Sequence, residues 1–157
     1  MHKVIKINPH VAVTGVLEPS DFAAIAAAGF KSILSNLPDG ETAANPMSQQ
    51  EAELAGRAGL AFRRVPTSKA DLFTDRVVDG VSDALRELPG PVLMHCASGM
   101  RSAVAWAAAA SRSQPADRVL ETLNVAGFNL EGVRDELESL RDASHKGPIP
   151  SALKAIA

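Results

Sequence analysis

The residues able to do chemistry gather in one stretch, His95-Cys96-Ala97-Ser98-Gly99-Met100-Arg101-Ser102. Cys96 is the only cysteine of the chain, and it follows the apolar run Pro91-Val92-Leu93-Met94. Arg101 comes where a helical pattern begins, and the small residues Ala97, Ser98 and Gly99 lie between them. A loop that wraps from a strand onto a helix start turns backbone N–H groups inward. Such a nest binds anions, and the helix dipole adds to it. Gly99 permits a backbone conformation that a Cβ forbids. The Arg101 guanidinium can grip two oxygens of a tetrahedral anion at once. Donors that hold such an anion also favour a thiolate. Met100 completes the loop, Ser102 is placed to donate to the sulfur, and His95 to order the loop from behind without moving a proton. The combination is an activated nucleophile beside an oxyanion clamp.

A cysteine at the end of an apolar strand is ordinarily a small core residue. The order strand, Cys, small residues, Gly, Arg-Ser, helix sets this one apart. Trp106, on the helix that follows, reads as core. Metal chemistry finds little support, because the four histidines and one cysteine form no pair at ligand spacing. No Gly-x-Ser-x-Gly elbow or dinucleotide or P-loop fingerprint occurs, so no cofactor is expected.

Apolar runs and helical patterns alternate from end to end, the signature of an α/β domain. Val11 to Gly15, Phe30 to Ser35, Leu60 to Val65 and Pro91 to His95 read as strands. Pro19-Ser20-Asp21 opens a helix that stops at Gly29. Asn36 to Glu41 contains the turn sequence Pro-Asp-Gly. Ser48 to Glu51 fits a capping box and starts a helix ending near Gly59. Thr74 to Leu88 places Val77, Val81, Leu85 and Leu88 on one helical face. Helices are expected over 101–112, 116–126 and 130–143. A chain of 157 residues suits one domain, taken as residues 1–145 with a tail over 146–157. That length buries a core without a disulfide or metal staple.

The net charge of −2 offers no polyanion-binding surface, so nucleic acid is not an expected partner. No run approaches the roughly 20 apolar residues of a membrane span. With no leader pattern at the N-terminus and a lone cysteine, the expected location is the cytoplasm.

Cys-x4-Arg-Ser after a buried strand resembles the active loop of cysteine-based phosphatases and rhodaneses. Thr14-Gly15, Glu18 to Asp21, Gly29 to Ile33, Asn36 to Glu41, Ala55 to Phe62, Val65-Pro66 and Val92 to Cys96 resemble the beta-lactamase hydrolase-like protein phosphatase-like family. The resemblance spans about residues 3 to 140, judged by motif order and spacing. It implies a fold like the dual-specificity phosphatases, with a short, mostly parallel central sheet flanked by helices. It implies Cys96 as nucleophile and Arg101 as anion-binding arginine. Members occur alone or fused to metallo-β-lactamase-like domains, and the stand-alone form is expected here. The family turn usually reads Arg-Pro-Asp-Gly-Glu, and Leu37 replaces its arginine.

Protein phosphatases of this fold have five residues between Cys and Arg, whereas this loop has four, the rhodanese length. They also carry an upstream general-acid Asp, and Arg63 to Ser68 holds no carboxylate. Asp71 is the nearest candidate, and it reads better as a helix-start residue. These departures make sulfur transfer the leading expectation: Cys96 takes sulfur from thiosulfate or a low-molecular-weight persulfide and passes it to a thiol or cyanide. Phosphoester hydrolysis through a phosphocysteine is the alternative. A non-catalytic anion- or phosphopeptide-binding module is the third, disfavoured by the intact cysteine.

Overall fold

A computed structural model describes residues 1–146. Five strands form one sheet: β1 (Ile5–Lys6), β2 (Val11–Thr14), β3 (Ser32–Ser35), β4 (Ala61–Arg64) and β5 (Val92–His95). Six helices connect or follow them: α1 (Asp21–Ala27), α2 (Ser48–Arg57), α3 (Asp75–Glu87), α4 (Met100–Ala110), α5 (Ala116–Val125) and α6 (Arg134–Lys146). The strand order is β1-β2-β5-β3-β4. Only β1 runs antiparallel; β2, β5, β3 and β4 are parallel to one another. This is the expected α/β architecture with a short, mostly parallel sheet.

Strand alternation divides the core in two. Val92 and Met94 of β5 join Val11, Val13 and Leu34 against Val77, Val81, Ala103, Trp106, Leu123 and Leu137 from α3 to α6. Leu93 joins Ala12 and Ile33 against Phe22, Ile25 and Ala55 from α1 and α2. Because β5 is central and buried along its whole length, its C-terminal end is covered on both faces and flanked by the ends of β2 and β3. In open parallel sheets that is where ligands bind.

Two local expectations are corrected, and one strand has no counterpart in the sequence pattern. β1, a two-residue strand, is too short to leave a sequence pattern; it is defined by pairing Ile5 with Val13 and Lys6 with Ala12. The capping box at Ser48 does not form. Met47 precedes the helix, the Ser48 hydroxyl donates to Asp39, and Glu51 turns inward and is buried. The last helix begins at Arg134, after a 3-10 turn over Glu131–Val133. Of the expected tail, residues 147–157 lie outside the described residues. No helix among the described residues is long and apolar enough to cross a membrane.

Leu93 is completely buried in the strand that carries the site. Leu93→Ala should cost about 2–5 kcal/mol in chemical denaturation. A cost below about 1 kcal/mol would mean that this layer collapses around the gap or is loosely packed.

Candidate active site

The chain leaves β5 at His95 and enters α4 at Met100, so Cys96 to Gly99 form the connecting loop. Gly99 caps the helix with φ at 94°, a left-handed conformation that side chains rarely adopt. In this conformation its N–H reaches back to Cys96 Sγ at 3.1 Å. The loop is fixed from the β2 side as well. Cys96 N–H donates to the Thr14 carbonyl at 3.3 Å, and Val16 N–H donates to the Ala97 carbonyl at 3.3 Å. Gly15 makes that approach possible, since a Cβ there would stand 2.9 Å from the Ala97 oxygen.

The first turn of a helix leaves its N–H groups without intrahelical partners. Here the N–H groups of Ala97, Ser98, Arg101 and Ser102 find no acceptor among the described residues, while that of Met100 turns to Ser98 Oγ at 3.4 Å. These free donors stand in the loop and first helical turn that follow Cys96, where unpartnered N–H groups can take up an anion. Cys96 is fully buried as a residue and forms no disulfide.

The Arg101 side chain is only 12% exposed and is held by two other loops. Its Nη1 donates to the Thr67 carbonyl at 2.7 Å and to Glu41 Oε2 at 3.0 Å, and its Nη2 donates to Glu41 Oε1. The Glu41 hydrogen bonds push the guanidinium above its ordinary value against the opposing effect of burial. The charges of Glu41, Cys96 and Asp71 add to the rise.

Ser102 does not serve the sulfur as expected. Its buried hydroxyl donates to Asn36 Oδ1 at 2.9 Å. The Asn36 amide in turn donates to the Val65 carbonyl at 3.1 Å and to Thr67 Oγ1 at 3.4 Å, and the Asn36 carbonyl accepts Thr67 N–H at 3.0 Å. Asn36 thus ties the start of α4 to the loop whose Thr67 carbonyl holds Arg101.

His95 supports the loop from behind. Its backbone carbonyl accepts Asn36 N–H at 2.8 Å. Its side chain is completely buried, with Nε2 2.7 Å from Glu51 Oε1 on α2. Neither ring nitrogen has a hydrogen-bond partner among the described residues.

Asp71 stands on the β4–α3 connection, near enough for its charge to act on Arg101. Burial pushes its carboxyl up, but this is outweighed: Ser68 N–H and the Arg76 guanidinium hold it below the usual aspartate range. The contacts are 2.7 Å to Ser68 N and 2.6 Å to Arg76 Nη2. Those two bonds favour the carboxylate over the acid, which counts against Asp71 as a proton donor.

Residues 4–113 match the family described as "Beta-lactamase hydrolase-like protein, phosphatase-like domain". The chain belongs to this family. It is 34% identical over 100 residues to the beta-lactamase hydrolase-like protein of Agrobacterium fabrum and 33% identical over 105 residues to that of Xylella fastidiosa. The matches cover 64% and 67% of this chain but only 23% and 24% of those relatives. A solved candidate phosphatase of Neisseria meningitidis superposes with a TM-score of 0.74 at 27% identity, over 87% of this chain and 97% of that one. TpbA of P. aeruginosa, solved in complex with pTyr, gives 0.56 at 19% identity, over 92% and 91%. This second likeness concerns the fold alone.

If Asn36 and Ser102 act as one unit, Asn36→Ala and Ser102→Ala should each lose about 1–3 kcal/mol of stability. The double variant should depart from additivity by at least about 0.5 kcal/mol. Additive losses in denaturation would show that the two side chains work separately.

Proposed function

We propose that this chain is a cysteine-dependent phosphatase that works through a phosphocysteine at Cys96. The observation that carries the reading is the nest itself. One N–H is set on Sγ, four more are free at the helix start, and a guanidinium is held beside them by Glu41 and Thr67. A phosphoryl group needs donors spread over several oxygens while an in-line nucleophile attacks, and this arrangement offers both. The family's phosphatase-like description and the Neisseria neighbour support the same choice.

In the first step the Cys96 thiolate attacks phosphorus. The P–O bond to the leaving group breaks, and its electron pair departs with that oxygen. In the second step water attacks the phosphocysteine, the P–S bond breaks, and inorganic phosphate and thiolate are released. The nest N–H groups and Arg101 bind the oxygens that carry the transferred charge. Asp71 is engaged by Ser68 N–H and Arg76, which favours its carboxylate, so the departing oxygen is assigned a proton from solvent. Aryl esters with good leaving groups are therefore the favoured substrates, and pTyr, bound by one structural neighbour, is the first physiological type to try. The lone free thiol suits the reducing cytoplasm.

Sulfur transfer is the second reading, and two observations favour it. The loop has four residues between Cys96 and Arg101, and the general-acid candidate Asp71 is engaged by Ser68 N–H and Arg76. A sulfane-sulfur donor releases a stable anion and needs neither a longer loop nor an acid.

Steady-state assays with aryl phosphates and with thiosulfate plus cyanide separate the two. Aryl phosphate turnover should be measurable, absent in Cys96→Ser, and reduced at least about 100-fold in Arg101→Lys, since lysine cannot supply the two-toothed contact. Turnover on thiosulfate alone would transfer the assignment to sulfur chemistry.

Asp71→Asn should change kcat for aryl phosphates by less than about threefold, against the 10²–10⁴-fold typical of a general acid. A loss in that larger range, with one limb of the pH profile gone, would make Asp71 the acid.

A further inference from the structure

We infer that the molecule carries a second small-molecule site, at the opposite end of the sheet from Cys96, and that it takes an organic anion with an apolar or aromatic body. The site is a cleft of about 510 Å3 between the C-terminal halves of α3 and α4 and the Asn8–Val11 turn that enters β2. Small-molecule sites commonly run from roughly 300 to 1,000 Å3. Cys96 follows the C-terminal end of β5, whereas the cleft opens beside the N-terminal end of the parallel strand β2. α4 joins the two places, and its 11 residues span about 16 Å. Neither Cys96 nor Arg101 lines the cleft, so the inference does not rest on the phosphatase reading.

Trp106 carries the argument. At 4% exposure its ring belongs to the core. Its polar tip does not fit that role. A buried indole N–H ordinarily finds an acceptor. No acceptor meets the Trp106 Nε1–H among the described residues, and it is not one of the fully enclosed unpaired atoms either. It therefore keeps contact with open space, and the open space that Trp106 lines is this cleft. The side-chain amide of Gln114 adds a second polar group there without a partner among the described residues.

The remaining walls define the ligand. Val11, Leu85 and Ala110 offer an apolar surface beside the indole. Arg86 and Arg112 bring positive charge, against the single carboxylate of Asp83. Each guanidinium meets a carboxylate through Nη2, Arg86 with Asp83 at 2.6 Å and Arg112 with Asp79 at 2.5 Å. Their Nε and Nη1 donors have no acceptor among the described residues. Surface ion pairs of this kind contribute little and give way readily. A carboxylate or sulfonate fits the free forks, while its carbon body covers the apolar wall.

The dye 8-anilinonaphthalene-1-sulfonate has both parts, and Trp106 is the only tryptophan. Titrating the full chain with this dye while following tryptophan emission reads the cleft directly. Saturable one-to-one quenching of Trp106, with energy transfer to the dye, is the expected result. N-Phenyl-1-naphthylamine, the same rings without the charge, should bind about fivefold more weakly or worse. Arg112→Ala should lose a similar factor of the dye's affinity, the scale of one charge-assisted contact at a part-exposed site. Ala110→Leu, which puts bulk into the cleft, should also weaken the dye. Inorganic phosphate has the charge without the body and should not displace it. No saturable quenching, equal affinity for the uncharged analogue, displacement by phosphate, or an affinity unchanged in both variants would each overturn the inference. The titration needs no turnover, so a chain that binds the dye and hydrolyses no phosphate ester would contradict the proposed function and leave this site standing.

Discussion

A chain that leaves a buried parallel strand must turn sharply before it can start a helix above the same sheet. Here the turn is completed at Gly99, whose φ of 94° aims its N–H at Cys96 Sγ. The rest of the site depends on that geometry. It puts the sulfur at the open end of α4, where the first-turn N–H groups lack internal partners. It brings Arg101 and Ser102 onto the first turn of the helix, in reach of Thr67 and Asn36. A Cβ at Gly99 would find 3.5 Å of room to Thr14, so the constraint is backbone conformation and not space.

Around that turn the protein has built a rigid collar from three connections. Gly15 and Val16 hold Ala97 from the β2 side, Glu41 holds Arg101 from the β3 side, and Thr67 holds it from the β4 side. Each is rooted at the C-terminal end of a parallel strand, so sheet order sets their spacing. The central place of β5 between β2 and β3 is what lets all three converge. The buried Glu51–His95 contact adds a fourth tie, from α2 to the end of β5.

The candidate nucleophile and arginine were legible in the sequence because they are local: six residues, one strand end and one helix start contain both. The fold class was legible for the same reason, since period and turn residues recur along the chain. The collar was not. Glu41 and Arg101 are separated by 60 residues, and Asn36 and Ser102 by 66. Such pairs are chosen by topology, which no local pattern records. A signal did exist for Glu51, which shares the inner face of α2 with buried Ala55, four residues on. Its fit to a capping box hid it. Proximity in sequence points Ser102 at the sulfur, whereas its hydroxyl donates to the buried Asn36 amide oxygen. Sulfur transfer led on loop length and a missing acid; the family description and the set of free N–H groups shift the balance to phosphate.

The central claim is that Cys96 receives a phosphoryl group. Mixing the protein with an aryl phosphate, quenching in acid within a turnover, and weighing the peptide that contains Cys96 tests it most directly. A mass gain of one phosphoryl group on Cys96, absent from the Cys96→Ser protein, is the predicted result. An unmodified Cys96 peptide from a protein that is turning over the ester, or a gain of one sulfur atom on thiosulfate with none on the phosphate ester, would contradict it.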